Sequence, residues 1–171
     1  MNSPQYLLRP VNPGFIAFSF VVAFLFNLMP WGHLQWIPDL VALVLVFWNI
    51  HQPRRVGMVV AFLLGLLMDV HEARLLGEHA MAYTLLSYFA ITIHRRVLWF
   101  SVLSQALHVL PLLLLLAHAV PILIRLLMGA HLPDWQVALP PLIEAALWPV
   151  ANAILLAPQR RPESVDETRP I

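Results

Sequence analysis

Apolar runs broken by proline, glycine and arginine set the pattern of this chain. Six such runs occupy residues 14–30, 37–50, 55–70, 78–94, 97–128 and 135–157. Their length and spacing predict six helices, with Pro30, Pro38, Pro53 and Gly77 at the joins. The connections are short, so neighbours in sequence are expected to be antiparallel neighbours in space. Runs two, three and four fall below the roughly 20 residues that span a bilayer core. Their flanks compensate: Arg54, Arg55, Arg95 and Arg96 can snorkel, and Trp31, Trp36, Trp48 and Trp99 suit interfacial belts. The fifth run would extend about 48 Å as one helix, and Pro111 and Pro121 are expected to kink it. Its first half carries Ser101, Ser104, Gln105 and His108 at helical spacing, a stripe that either faces the bundle or lies along the interface.

Composition turns six helices into a membrane protein. Hydrophobic residues make up 60% of the chain and charged residues 11%, against about 45–50% and 25% in soluble domains. Water cannot solvate the surplus, but lipid can. The expected fold is an all-α integral membrane protein, a six-transmembrane-helix bundle over residues 1–157 with a short cytoplasmic tail at 158–171. Ten cationic residues, all arginine, then set the orientation. Arg9, Arg54, Arg55, Arg95, Arg96, Arg160, Arg161 and Arg169 share one face of such a bundle, and only Arg74 and Arg125 fall toward the other. Basic residues in short loops stay inside, which predicts cytoplasmic N- and C-termini. The first run lacks a small-residue cleavage pattern, so it reads as a retained anchor. Near-neutral net charge gives no footprint for nucleic acid, and the absence of cysteine removes disulfide and thiolate chemistry.

Polar residues within the runs are the candidates for function, since burying them in lipid is costly. Gly57, Ala61, Gly65 and Asp69 recur every four residues, a small-residue band that ends in a carboxylate. Such a band admits a close helix, either from this bundle or from a partner. Glu144, Trp148 and Asn152 form a second four-spaced face, for internal hydrogen bonds or for a partner or ligand. Matching depth on adjacent helices suggests an ion pair between Arg125 and Glu144. Eight histidines show no metal-ligand spacing, and no nucleophile motif or phosphate loop appears. No catalytic, metal or cofactor site is therefore expected.

The stretch PDLVALVLVFWNIHQPRRVG, followed by AFLLGLLMDVHEARLLGEHAMAYTLLSY, carries an ordered set of features. A proline opens the second helix and a tryptophan closes it. A Pro-Arg-Arg loop precedes a glycine, and Gly65, Asp69, Gly77 and Ala80 follow. With LMPW at 28–31 and LWP at 147–149, this resembles the MreD family of rod shape-determining proteins. The resemblance implies a non-catalytic inner-membrane scaffold of the bacterial elongation complex, which guides lateral peptidoglycan synthesis. It implies the bitopic protein MreC as partner, with MreB, RodA and a penicillin-binding transpeptidase in the same machinery. It also implies a fold related to the substrate-binding subunits of energy-coupling-factor vitamin transporters. Membership of such a transporter is accordingly the alternative reading, although helix one lacks an Ala-x-x-x-Ala docking pattern.

Overall fold

The computed structural model describes residues 11–31, 36–131 and 133–159. Arg9, Arg160, Arg161, Arg169 and most of the expected tail lie outside the described residues. Among the described residues the chain is helical without strands. The elements are α1 (Pro13–Asn27), α2 (Leu40–His51), α3 (Met58–His71), α4 (Glu78–Val97), α5 (Val102–Leu112), a π-helical segment (Leu113–Ala119), α6 (Val120–Leu127) and α7 (Leu139–Leu156). Helix α5, the π segment and α6 form one unbroken rod, Val102–Leu127. Counted as rods, the described residues form six, the number expected from the runs.

Local chemistry fixes where the helices start. Asn12 accepts a hydrogen bond from Gly14 N at 2.9 Å, and Pro13 occupies the first helical position, where its missing N–H costs nothing. Asp39 caps α2 by accepting from Ala42 N at 3.0 Å, so this helix begins after Pro38 rather than at residue 37. Gly77 precedes α4 with a φ of +103°, a left-handed conformation that glycine adopts without strain. Pro111 and Pro121 flank the π segment. Each proline lacks a donor and crowds the carbonyl four residues back. Wider π turns between the two proline-bearing stretches take up that misfit, and the rod runs on through both.

Helix α2 is the centre of the bundle. Val41, Leu45, Val46, Phe47, Trp48 and Ile50 are all fully buried, and α1, α4 and α7 pack around them. A short helix that is apolar on every side is stable only when enclosed in this way. Trp48 therefore belongs to the core and not to an interfacial belt. Its indole donates to Ser19 Oγ at 2.8 Å and meets the Phe15 ring edge-on. Trp31, Trp36 and Trp99 are exposed as expected.

Around this centre the bundle is apolar on its outside. Val59, Leu63 and Leu67 of α3, Leu103, Leu107 and Leu115 of the long rod, and Ile154 of α7 are each more than half exposed. The rod Val102–Leu127 and the stretch Trp135–Gln159 are long and apolar enough to cross a bilayer, while α1, α2 and α3 are shorter apolar helices. Polar side chains collect in the interior and at one end. Asp69, Glu78, Glu144, Asn152 and Gln105 are all buried.

Candidate functional site

The connections after α1, α3 and α6 meet at one end of the bundle, and they enclose a pocket of about 500 Å³. The opposite end carries Arg54, Arg55, Arg95 and Arg96. Three polar assemblies build the pocket and its walls.

The first assembly joins α3 to α4. The Asp69 carboxylate accepts from Gly77 N at 2.8 Å and His79 N at 2.7 Å, with Ala80 N at 3.4 Å. It thus supplies from another helix the cap that Gly77 has no side chain to provide. The negative charge also lies at the positive end of the α4 dipole. His79 Nδ1 lies 2.9 Å from Asp69 Oδ1, and its Nε2 lies 3.5 Å from Arg74 Nη1. An N–H at Nδ1 then donates to the carboxylate while Nε2 accepts from the guanidinium. Gly65 makes this junction possible, because a Cβ on it would sit 2.5 Å from Ala80 N and 2.6 Å from His79 C.

The second assembly is a chain of charges along the rim. Arg74 pairs with Glu72 and lies 3.5 Å from Glu78. Arg125 of α6 donates through Nε to the same Glu78 oxygen at 2.5 Å and also approaches it through Nη2. Glu78 is only 2% exposed, so its charge depends on these two guanidiniums.

The third assembly ties five elements together at one depth. Asn27 of α1 donates to Asp39 Oδ1 at 2.7 Å and accepts from Leu40 N at 3.2 Å. Tyr83 of α4 donates its hydroxyl to Asp39 Oδ2. Glu144 of α7 accepts from Asp39 N at 2.7 Å, and His118 of the π segment reaches the same carboxylate oxygen at 2.9 Å. His118, Pro121, Ile122 and Arg125 all line the pocket, at the i, i+3, i+4 and i+7 spacing of a single helix face.

Several sequence expectations change here. Arg125 does not pair with Glu144. Arg125 lies seven residues, about 10 Å of helix, beyond His118, level with the start of α4, so it meets Glu78. Glu144 sits deeper and is taken by His118 and the Asp39 amide. In the small-residue band, Ala61, Gly65 and Asp69 are buried, and Gly65 and Asp69 meet α4. A Cβ on Gly57 would meet nothing within 4 Å. The Glu144, Trp148 and Asn152 face points into the bundle, where Trp148 Nε1 and Asn152 Nδ2 reach Gln105 Oε1 at 3.2 and 3.3 Å. Of the stripe on α5, only Gln105 is buried, whereas Ser101 and His108 are exposed. His118, Asn27 and Tyr83 were not singled out from the sequence. The helical spacing of His118 to Arg125 was the available signal.

Carboxylates and cations in these assemblies are engaged with each other or with helix ends. Among the described residues no group of three or more histidine or acidic side chains is placed to hold a metal ion. The arrangement offers a concave wall of paired charges, hydrogen-bond donors and acceptors, with apolar Ile37, Ile122 and Val137 between them. Among the described residues that line it, the polar side chains are carboxylate, imidazole, guanidinium and amide groups.

Comparison with known proteins agrees with the sequence resemblance. Residues 8–156 match the model of the family described as rod shape-determining protein MreD. The rod shape-determining protein MreD of Haemophilus influenzae is 30% identical over 136 residues, which cover 76% of this chain and 81% of that protein. No solved structure matches.

Proposed function

The chain belongs to the MreD family of rod shape-determining membrane proteins, and on that premise we propose that it is a non-catalytic scaffold of the elongation complex in the bacterial inner membrane. In this reading six rods cross the bilayer, both termini are cytoplasmic, and the arginine-bearing end faces the cytoplasm. The pocket then opens on the outer side. It receives the membrane-adjacent part of the bitopic partner MreC, whose single span leaves the bilayer beside this bundle. MreB, RodA and a penicillin-binding transpeptidase take part through the same complex, which directs lateral peptidoglycan synthesis.

The observation that carries this reading is the pocket itself. It is built by connections that are otherwise short, and it is walled by charged side chains at the end where arginine is scarce. Helix faces elsewhere are apolar and suited to lipid. The family match supports shape determination, and the transporter alternative gains nothing from it.

A photoreactive amino acid at Ile122, inside the pocket, should crosslink MreC in native membranes. The same group at Val59, on the exposed face of α3, should not. Depletion of the protein should round a rod-shaped host. Absence of an MreC adduct at Ile122 would refute the docking role, and rods of unchanged width and length after depletion would refute the scaffold.

A further inference from the structure

A second concavity lies on the outside of the bundle, between α4 and the long rod, toward the arginine-bearing end. It measures about 460 Å³, within the roughly 300–1,000 Å³ range of small-ligand sites. Its walls are almost wholly apolar: Phe89 and Ile93 come from α4, and Leu107, Pro111, Leu112 and Leu115 from the rod, with His108 the one polar side chain in the lining. It follows the stretch where the rod passes from α to π geometry.

Positive charge follows one turn beyond its α4 wall. On α4 the lining residues Phe89 and Ile93 are followed at helical spacing by Arg96, which continues the same face (i, i+4, i+7). Arg95 and Arg96 are both exposed in the last turn of α4. Ser101 and Ser104, across the turn, are linked Oγ to Oγ at 3.2 Å on an exposed surface. Trp99 in that turn is 90% exposed, as suits a side chain at the headgroup level. In the membrane placement proposed above, an apolar slot thus ends in guanidinium and hydroxyl groups near the cytoplasmic headgroups.

We propose that this groove is a binding site for an anionic glycerophospholipid, with an acyl chain between α4 and α5 and the phosphate at Arg96. Arginine suits the role because its planar fork binds phosphate oxygens in pairs. Basic residues beside an interhelical groove on the cytoplasmic side attract anionic headgroups, and zwitterionic lipid gains less there. The proposal rests on the membrane placement above but not on the partner or the outer pocket. A protein that dissolves without detergent would sink that placement itself.

The test uses the full chain purified in mild detergent, with native mass spectrometry reading retained lipid after exposure to equimolar phosphatidylglycerol and phosphatidylethanolamine. The unaltered protein should retain phosphatidylglycerol at least fivefold over phosphatidylethanolamine. Arg96→Gln should abolish the preference, and Arg96→Lys should restore part of it. Leu112→Trp, which fills the groove and leaves the arginines, should lower total retention. Arg54→Gln, at the same end but away from the groove, should change neither. Equal retention of the two lipids by the unaltered protein overturns the site. So does an equal loss in Arg54→Gln and Arg96→Gln, which would reduce the effect to general surface charge. A photoreactive group at Leu112 that captures a protein helix instead of lipid overturns it as well.

Discussion

Asp69 shows how much one carboxylate can settle. It ends a band of small residues on α3, closes the start of α4 and orients His79. Asp69→Ala should destabilise the protein by about 1–3 kcal/mol, because buried amides lose their acceptor. Thermal unfolding in detergent would check this. The same measurement should separate two glycines. Gly65→Ala should lower stability, since its Cβ meets backbone that cannot give way, whereas Gly57→Ala should leave it nearly unchanged. Equal effects at the two positions would contradict the close approach of α3 and α4. The sequence made the band legible through its spacing of four. It could not say which helix the band receives, because periodicity locates a face and not its neighbour. His118 was only half legible for a related reason: its spacing to Arg125 marks a shared helix face, but its partner Glu144 lies 26 residues away, where no spacing points.

At the scale of elements, proline and depth decide. The apolar runs marked the rods, and Pro38, Pro111 and Pro121 were visible as breaks. Between Pro111 and Pro121 the rod takes π geometry, which the apolar pattern did not foretell. Depth was the harder quantity. Counting turns placed Arg125 and Glu144 level, but Arg125 reaches the first residue of α4 instead. This pairing links α6 to the α3–α4 hairpin and is open to a double-mutant cycle. Glu78→Gln and Arg125→Gln should each cost about 1–3 kcal/mol, below the range for fully enclosed pairs because Arg125 is 37% exposed. The double variant should lose less than the sum. Strict additivity of the two losses would show that the pair contributes no coupling.

For the whole molecule, the division of surfaces is the informative property. Apolar side chains cover the outside, polar assemblies fill one end, and arginines mark the other. The apolar runs made the all-helical class legible, and the described residues are helical without strands. Which helix would be central was not legible, because α2 and α3 are both predominantly apolar strings and a sequence pattern does not name the neighbours of either. Orientation has a direct test, helped by the absence of native cysteine. A single cysteine at Arg54 should react with an impermeant maleimide only after the membrane is opened. One at Asp134 should react in intact spheroplasts. The reverse pattern would invert the topology and place the pocket in the cytoplasm.

The contact between the Asp39 amide and Glu144 joins positions separated by 105 residues. A chain still emerging from the ribosome can insert its second helix long before that acceptor exists. Until α7 arrives, the Asp39 amide lacks this acceptor and one flank of α2 is open. A product truncated before α7 lacks this acceptor and is expected to be degraded faster than the full chain, which a pulse-chase measurement would check. Biogenesis of this protein is in that sense sealed from its C-terminal side, and late frameshifts should lower its abundance more than early surface substitutions do.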